Sequence, residues 1–238
     1  MSWLTGGLVI VPLRGAISPL ASDRAILVVC DQNEADWYEA RNGIMTGSNA
    51  SLIVSPTGKA REGGAVEKYA YELAFDRVYG RDLDRFVSHA MELGHIIEPE
   101  SRRAWENKHS VKVERVGFVY GDESKRYGCS PDGLFVRGGR LGMWETKARQ
   151  RAAMCEILAE GDAHEISKAH YTNLQFNMWC CGATTGVYVE YYSSDTKPLL
   201  IERTVGVDEV LFSAFETAVP EFCRMIDDAE VRLREMSI

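Results

Sequence analysis

The stretch CSPDGLFVRGGRLGMWETK, residues 129–147, decides how this chain is read. Residues 133–147 read as two apolar strand segments on either side of Gly138-Gly139, a dipeptide suited to a two-residue hairpin turn. Ser130-Pro131-Asp132-Gly133 stands where the hairpin begins, and beyond eleven intervening residues comes Glu145-Thr146-Lys147. An acid-x-Lys triplet alone says little. Four occur here: Glu106-Asn107-Lys108, Glu123-Ser124-Lys125, Glu145-Thr146-Lys147 and Asp195-Thr196-Lys197. Context separates them: Glu106 ends a helical pattern, Glu123 and Asp195 lie in polar turns, and Glu145 follows the apolar run of Leu141, Met143 and Trp144.

In a strand, residues i and i+2 share a face, so Glu145 and Lys147 point the same way. Asp132 leads the partner strand and can approach that face. Two neighbouring carboxylates repel unless a cation neutralises them. Their hard oxygens suit Mg²⁺, with Mn²⁺ as a substitute, ions that keep several waters and bind substrate phosphate. Such a metal lowers the pKa of a bound water and offsets charge on phosphorus. Lys147 can orient that water or steady the transition state. Spacing alone also fits a turn aspartate followed by an i, i+2 surface salt bridge.

Outward from the hairpin, the pattern describes a mixed α/β (α+β) domain built on a central sheet. Residues 1–24 read as an irregular extension and 25–238 as a single domain. Residues 25–30 form a strand. A helix capped by Asp31 or Asn33 runs to about Arg41 and stops at Asn42-Gly43. Thr46 or Ser48 caps a second helix, followed by a loop over 55–64. Helical spacing covers 66–78 and 83–108, with Pro99 expected to kink or restart the latter. Residues 111–120 alternate like one strand. After the hairpin come helices near 150–160 and 163–181, ending at Gly182, and strands over 185–193 and 199–207. A last helix carries Leu211, Phe215, Val219, Phe222, Ile226 and Leu233 at helical spacing.

Composition narrows the function classes. The chain has 238 residues and a net charge of −8. A uniformly basic surface is thereby excluded, so any nucleic-acid site must be a local patch. From 207 to 238 the net charge is −5, whereas 140–151 holds four basic residues and one acid. Cys30, Cys129, Cys155, Cys180, Cys181 and Cys223 form no C-x-x-C and suggest reduced thiols in a cytosol. Adjacent Cys180 and Cys181 diverge by about 100° on a helix, which argues against an iron–sulfur cluster. The five histidines show no zinc pattern, and no phosphate-binding Walker loop occurs. Tyr188, Tyr191 and Tyr192 read as core and sheet surface. The N-terminus lacks a basic n-region and is a poor signal peptide. No apolar run reaches the roughly 18 residues of a membrane span. The expectation is a cytoplasmic protein.

S-P-D-G…E-x-K resembles the signature of the PD-(D/E)XK nucleases, in the form found in the family of phage-type alkaline exonucleases, the lambda exonuclease and YqaJ-type viral recombinase family. The likeness spans about residues 33–230. Its segments, in the family's order, are 35–48 (ADWYEARNGIMTGS), 91–106 (MELGHIIEPESRRAWE), 129–134, 144–147, 173–179 (NLQFNMW) and 219–222 (VPEF). It implies a restriction-endonuclease-like fold. Asp132 and Glu145 would be metal ligands, joined by the carbonyl of Thr146, and Lys147 the catalytic lysine. Glu98 would support the second metal, with Glu100 as fallback. Arg41 and Ser48 would grip the 5′-phosphate; a Ser48 at a helix start and a forked guanidinium agree with that role. The family's further arginine falls near Ala153, where Arg149 or Arg151 would substitute. Gln175 would lie near the reacting groups, a buried amide satisfied by backbone being the alternative, and Met91 would wedge the duplex open, a core methionine being the alternative.

The resemblance further implies a Mg²⁺-dependent exonuclease on linear double-stranded DNA. It would act 5′→3′, release mononucleotides and leave a 3′ single strand. Its assembly would be a homotrimeric ring, and its partner a phage-type single-strand annealing protein. The alternatives are an endonuclease of the same fold, against which the Arg41/Ser48 pair argues, and a non-catalytic DNA-end-binding module, against which Asp132, Glu145 and Lys147 argue.

Overall fold

The computed structural model describes residues 3–5, 8–13, 21–80 and 89–237. Side chains at 3–5, 8, 10, 89–93 and 95 lie outside the described residues, and with them that of Met91. The hairpin forms as its sequence dictates. β8 (Gly133–Arg137) and β9 (Arg140–Ala148) pair antiparallel, with Gly133 opposite Trp144 and Arg137 opposite Arg140. Gly138 and Gly139 turn between them at φ 58° and 70°, a left-handed pair that glycine adopts at no steric cost. β9 also pairs in parallel with β10 (Thr185–Tyr192), which pairs antiparallel with β11 (Leu199–Gly206). With β5 (Val113–Glu114) on β8, the sheet order is β11-β10-β9-β8-β5.

Alternation along β9 decides what covers each face. Trp144 packs with Phe135, Val187, Val189 and Tyr191 against Ile97 and Trp105 of a long helix, α4 (His89–His109). Leu141 and Met143, on the other face, pack with the main core and α6 (Lys168–Cys181). That helix is buried continuously from Leu174 to its end, with its first turn at the surface. It ends at Gly182 in the left-handed region (φ 74°), whose N–H bonds to Met178 O. α7 (Glu209–Met236) completes this layer with Leu211, Phe215, Val219, Phe222 and Ile226, and packs against α3 (Gly64–Tyr79).

A second sheet has the order β1-β2-β3-β6-β7-β4. It comprises β1 (Trp3–Thr5), β2 (Leu8–Pro12), β3 (Ile26–Val28), β4 (Met45–Thr46), β6 (Phe118–Tyr120) and β7 (Tyr127–Cys129). The connecting helices are α1 (Ala35–Ala40), α2 (Ala50–Ile53) and α5 (Arg151–Glu160).

Four local expectations are corrected. Residues 3–5 and 8–12 are strands, because a third strand, β3, offers β2 its edge. Residues 111–120 are two strands in different sheets; the chain changes sheet at 115–117, where a Cβ on Gly117 would meet Cys30 O at 2.4 Å. Pro99 does not divide α4, because Ile97 and Trp105 are anchored on either side of it and hold both halves to the sheet. Neither Thr46 nor Ser48 caps through its side chain; Gly47–Asn49 is a 3₁₀ turn ahead of a four-residue helix.

Gly182 also explains how the N-terminal segment docks, since Ser22 N–H bonds to Cys181 O and a Cβ on Gly182 would lie 2.6 Å from Ser22 N. Gly139 has nothing within 4 Å. Gly182→Ala should therefore lose about 2–3 kcal/mol in urea unfolding and Gly139→Ala only about 1–2, the left-handed penalty without a clash. Equal losses would refute that account.

Candidate active site

The register that sets Gly133 against Trp144 puts Asp132 beside Glu145 at the open end of the hairpin. Asp132 Oδ2 accepts a hydrogen bond from the Thr146 N–H at 2.8 Å. Lys147 Nζ donates to Glu145 Oε1 at 2.7 Å. The other oxygen, Glu145 Oε2, is buried with no hydrogen-bond partner. Thr146 faces away, its hydroxyl sharing a 2.8 Å hydrogen bond with Ser101 of α4. This contact fixes α4 so that Glu98, one turn earlier, lies close enough for its charge to act on Asp132. Glu98 also pairs with Arg102 at 3.7 Å. Glu100 is engaged elsewhere, accepting from Tyr191 Oη at 2.9 Å and Ser193 Oγ at 2.6 Å.

Burial, then the charges of Glu145 and Glu98, push the Asp132 carboxyl well above the usual carboxylate range, against the pull of Lys147 and the Thr146 N–H. Burial alone would lower the Lys147 ammonium. The carboxylates of Glu145 and Asp132 outweigh it and hold that ammonium above its ordinary value. An acid pair this unfavourable, with an orphaned buried oxygen, fits a divalent cation of oxygen preference. Among the described residues no three His, Cys, Asp or Glu side chains converge as a ready-made cage. The donor set is thus two carboxylates with room for water and phosphate, the sparse arrangement that Mg²⁺ takes.

A cleft of about 230 Å³ opens over Glu145 and Lys147, bounded by Ser48, Ser130, His170, Asn173, Asn177 and Tyr188 among others. Arg41 adjoins the cleft through Ser130: its guanidinium lies 4.0 Å from the Trp37 ring centroid and donates to Ser130 Oγ at 3.2 Å, while Trp37 Nε1 donates to the same oxygen at 2.8 Å. Ser48 is exposed in its 3₁₀ turn, which α6 grips: Asn173 Nδ2 donates to Ser48 O, and Asn173 Oδ1 accepts from Ser51 N–H.

Opposite, the Tyr188 hydroxyl and His170 Nδ1 are 2.8 Å apart. Burial pushes the Tyr188 phenol up to about 12, against Arg149 and Lys147. Burial, with the same two cations, lowers the His170 imidazole. Arg149 is held by Glu190 through Nε at 2.9 Å and Nη2 at 2.5 Å. Glu190, 2% exposed, gives its other oxygen to His164 Nε2 at 2.7 Å.

The structure therefore gathers Asp132, Glu145, Thr146, Lys147 and Glu98, with Ser48 lining the same cleft and Arg41 joined to it through Ser130. It does not gather all the sequence candidates. Gln175 is 0% exposed, its amide spent on Gly206 O at 2.8 Å and the Asp208 N–H at 3.0 Å. This is the buried amide satisfied by backbone that the sequence also allowed, a strut between α6 and the start of α7. Arg151 is exposed in the first turn of α5 and does not line the cleft, and Arg149 is engaged with Glu190. The sequence reading missed Ser130, His170, Asn173 and Asn177. The last three were detectable as a polar stripe at helical spacing.

Residues 36–185 match the family described as the YqaJ-like viral recombinase domain. No curated protein matches the chain. Among solved structures, the fold resembles an alkaline exonuclease (LHK-Exo) from Laribacter hongkongensis at 22% identity, covering 85% of this chain and 97% of that one, with a TM-score of 0.71. The same figures hold for LHK-Exo in complex with dAMP. A phage related exonuclease from Haemophilus somnus 129PT matches at 13% identity, 84% and 99% coverage, and a TM-score of 0.56.

Two consequences are measurable. Because its folded pKa is raised, Asp132 ionised costs stability, and that cost grows as pH climbs from the ordinary carboxylate range through the raised value. Asp132→Asn should raise the urea midpoint in EDTA at neutral pH, with the gain vanishing near pH 4; a loss at neutral pH would contradict the assigned shift. Gln175→Ala leaves Gly206 O and the Asp208 N–H unpaired and opens a cavity, so it should cost about 2–4 kcal/mol of stability. Full stability would show that Gln175 is no strut.

Proposed function

We propose, from the premise that this chain belongs to the YqaJ-like viral recombinase domain family, that it is a Mg²⁺-dependent deoxyribonuclease acting 5′→3′ on the ends of linear double-stranded DNA. The observation that carries the reading is the Asp132–Glu145–Lys147 cluster, with its orphaned Glu145 oxygen, beside a cleft that Ser48 lines and Arg41 adjoins through Ser130. The fold shared with two exonucleases agrees with it. Asp132 and Glu145 would hold the metal, with the Thr146 carbonyl and, for a second ion, Glu98. A bound Mg²⁺ would supply an activated water and offset charge on the scissile phosphate.

Lys147 orients the attacking water and shares the negative charge that develops on the phosphoryl oxygens, a role suited to an ammonium kept protonated by its neighbours. Arg41 offers a forked cation to the terminal 5′-phosphate, its plane held by Trp37 and Ser130. Ser48 adds a hydroxyl on the same side. End recognition by this pair makes the product a 5′-mononucleotide and leaves a 3′ single strand, the substrate of a phage-type annealing protein. A homotrimeric ring around the duplex would present the clefts inward. Met91 would meet the duplex as a wedge.

Digestion of linear duplex labelled at either the 5′ or the 3′ end tests the reading. We expect early release of the 5′ label that requires Mg²⁺, favours a 5′-phosphate over a 5′-hydroxyl, spares a closed plasmid, and falls by about 10²–10³ in Lys147→Ala. Cleavage of the plasmid would point to an endonuclease. Retention of both labels under every condition would end the nuclease reading.

A further inference from the structure

We propose that His170 is a further substrate-binding residue, a neutral Nε2–H donor locked in that tautomer by Tyr188 and Arg149 and directed at a phosphate oxygen of the nucleotide in the cleft. It rests on the nuclease reading above. The argument runs along one chain of hydrogen bonds. Glu190, buried in the strand beside Lys147, fixes the Arg149 guanidinium through two nitrogens. Arg149 Nη2 in turn lies 3.4 Å from Tyr188 Oη. A guanidinium only donates, so the Tyr188 oxygen accepts there. Its own O–H is then free to donate to His170 Nδ1, 2.8 Å away. A neutral imidazole whose Nδ1 accepts carries its proton on Nε2.

No protein group takes Nε2 among the described residues, and the ring lines the cleft together with Glu145 and Lys147. The other polar groups at this wall are less available. Asn173 is spent on the 48–51 turn; Asn177 presses its Oδ1, an acceptor without a hydrogen-bond partner, against Gly47, and an acceptor does not serve an anion. A donor with no partner, in a cleft it shares with the Lys147 ammonium, suits an anionic oxygen. Phosphate satisfies this with oxygens to spare, while Glu145, the carboxylate that shares the cleft with His170, already accepts from Lys147 through Oε1. Glu190 and Arg149 thereby act as positioning residues.

The test measures tautomer and binding, not turnover. In full-length protein with ¹⁵N-labelled histidine, the His170 signals are identified by their absence in His170→Gln. In EDTA the wild type should show a protonated Nε2 and an unprotonated Nδ1, and Tyr188→Phe should lose that single-tautomer signature. With Mg²⁺, thymidine 5′-monophosphate should shift the Nε2–H signal. Its affinity should fall about tenfold in His170→Ala and stay within about threefold in His170→Gln, which keeps an N–H donor. Thymidine, lacking phosphate, should bind both alike.

A protonated Nδ1 in wild type, unchanged monophosphate binding in His170→Ala, or an equal loss for thymidine would overturn the proposal. Thermal unfolding of His170→Ala separates a lost contact from a lost fold, and the glutamine variant carries the test if alanine unfolds. A wild type that binds the monophosphate through His170 yet releases nothing from DNA would sink the nuclease reading and keep the contact. One that degrades DNA while His170→Ala binds unchanged would sink the contact alone.

Discussion

The pairing of Gly133 with Trp144 is the constraint on which the rest depends. Side chains alternate along a strand, so a one-residue slip of β9 would exchange its faces. Trp144 would enter the polar cleft, and Glu145 and Lys147 would enter the apolar layer under α4. Burying a large apolar side chain contributes about 1.5–3 kcal/mol, and an unpaired buried charge costs more than that. Both terms therefore oppose the slip. The Gly138-Gly139 turn sets the same register from the other end. A Cβ on Gly133 would strike Val113 Cγ1 at 2.2 Å, so the residue next to Asp132 must also be small enough for β5 to pair there. Apolar packing thus holds two carboxylates closer than they would choose. The burden falls on Asp132, whose pKa is driven up, and the relief on Lys147.

The helix α6 serves the core and the cleft at once, and its geometry explains why Gln175 was misplaced. Successive residues on a helix are about 100° apart, so Asn173 and Asn177 share a face while Gln175 lies about 200° from each. A helix showing Asn173 and Asn177 to the cleft must show Gln175 to the interior. There its amide closes two backbone groups where β11 hands over to α7. The motif pointed to the right helix. Its phase needed the neighbouring polar residues to be read together.

Legibility followed the range of the interactions. The hairpin, its turn, Gly182 as a helix stop and the apolar spacing of α7 were readable because each depends on a few adjacent residues. So was the Asp132–Glu145–Lys147 set, since a hairpin converts sequence spacing into proximity. What escaped depended on distant partners. Residues 3–5 and 8–12 are strands only because β3 offers an edge, and 111–120 breaks because its halves find different sheets. Pro99 was weighed for the bond it removes, without the buried anchors at Ile97 and Trp105. Ser130 was read only as the first residue of S-P-D-G, and its role in bonding both Trp37 and Arg41 appears only when α1 packs beside it.

The acidic balance of the chain looks at odds with a ligand made of phosphate until the charges are followed to their partners. The densest acid lies in α7, yet Asp227 binds Arg77 and Arg126, and Glu230 binds Arg77 and Arg234, which hold the Glu230 carboxyl below its ordinary value. Those acids fasten α7 to α3 and to the turn before β7, and much of their field is cancelled locally. Screening at physiological salt confines the remainder to about 8 Å. The cleft sees instead Lys147, the Arg41 guanidinium across Ser130, and the polar wall of α6, with the carboxylates of Asp132 and Glu145 gathered at its floor. A net charge of −8 thus coexists with a local arrangement that can accept an anion once a cation joins the floor. In the proposed reaction, a metal on Asp132 and Glu145 would therefore be needed before the cleft's own field favours a phosphate.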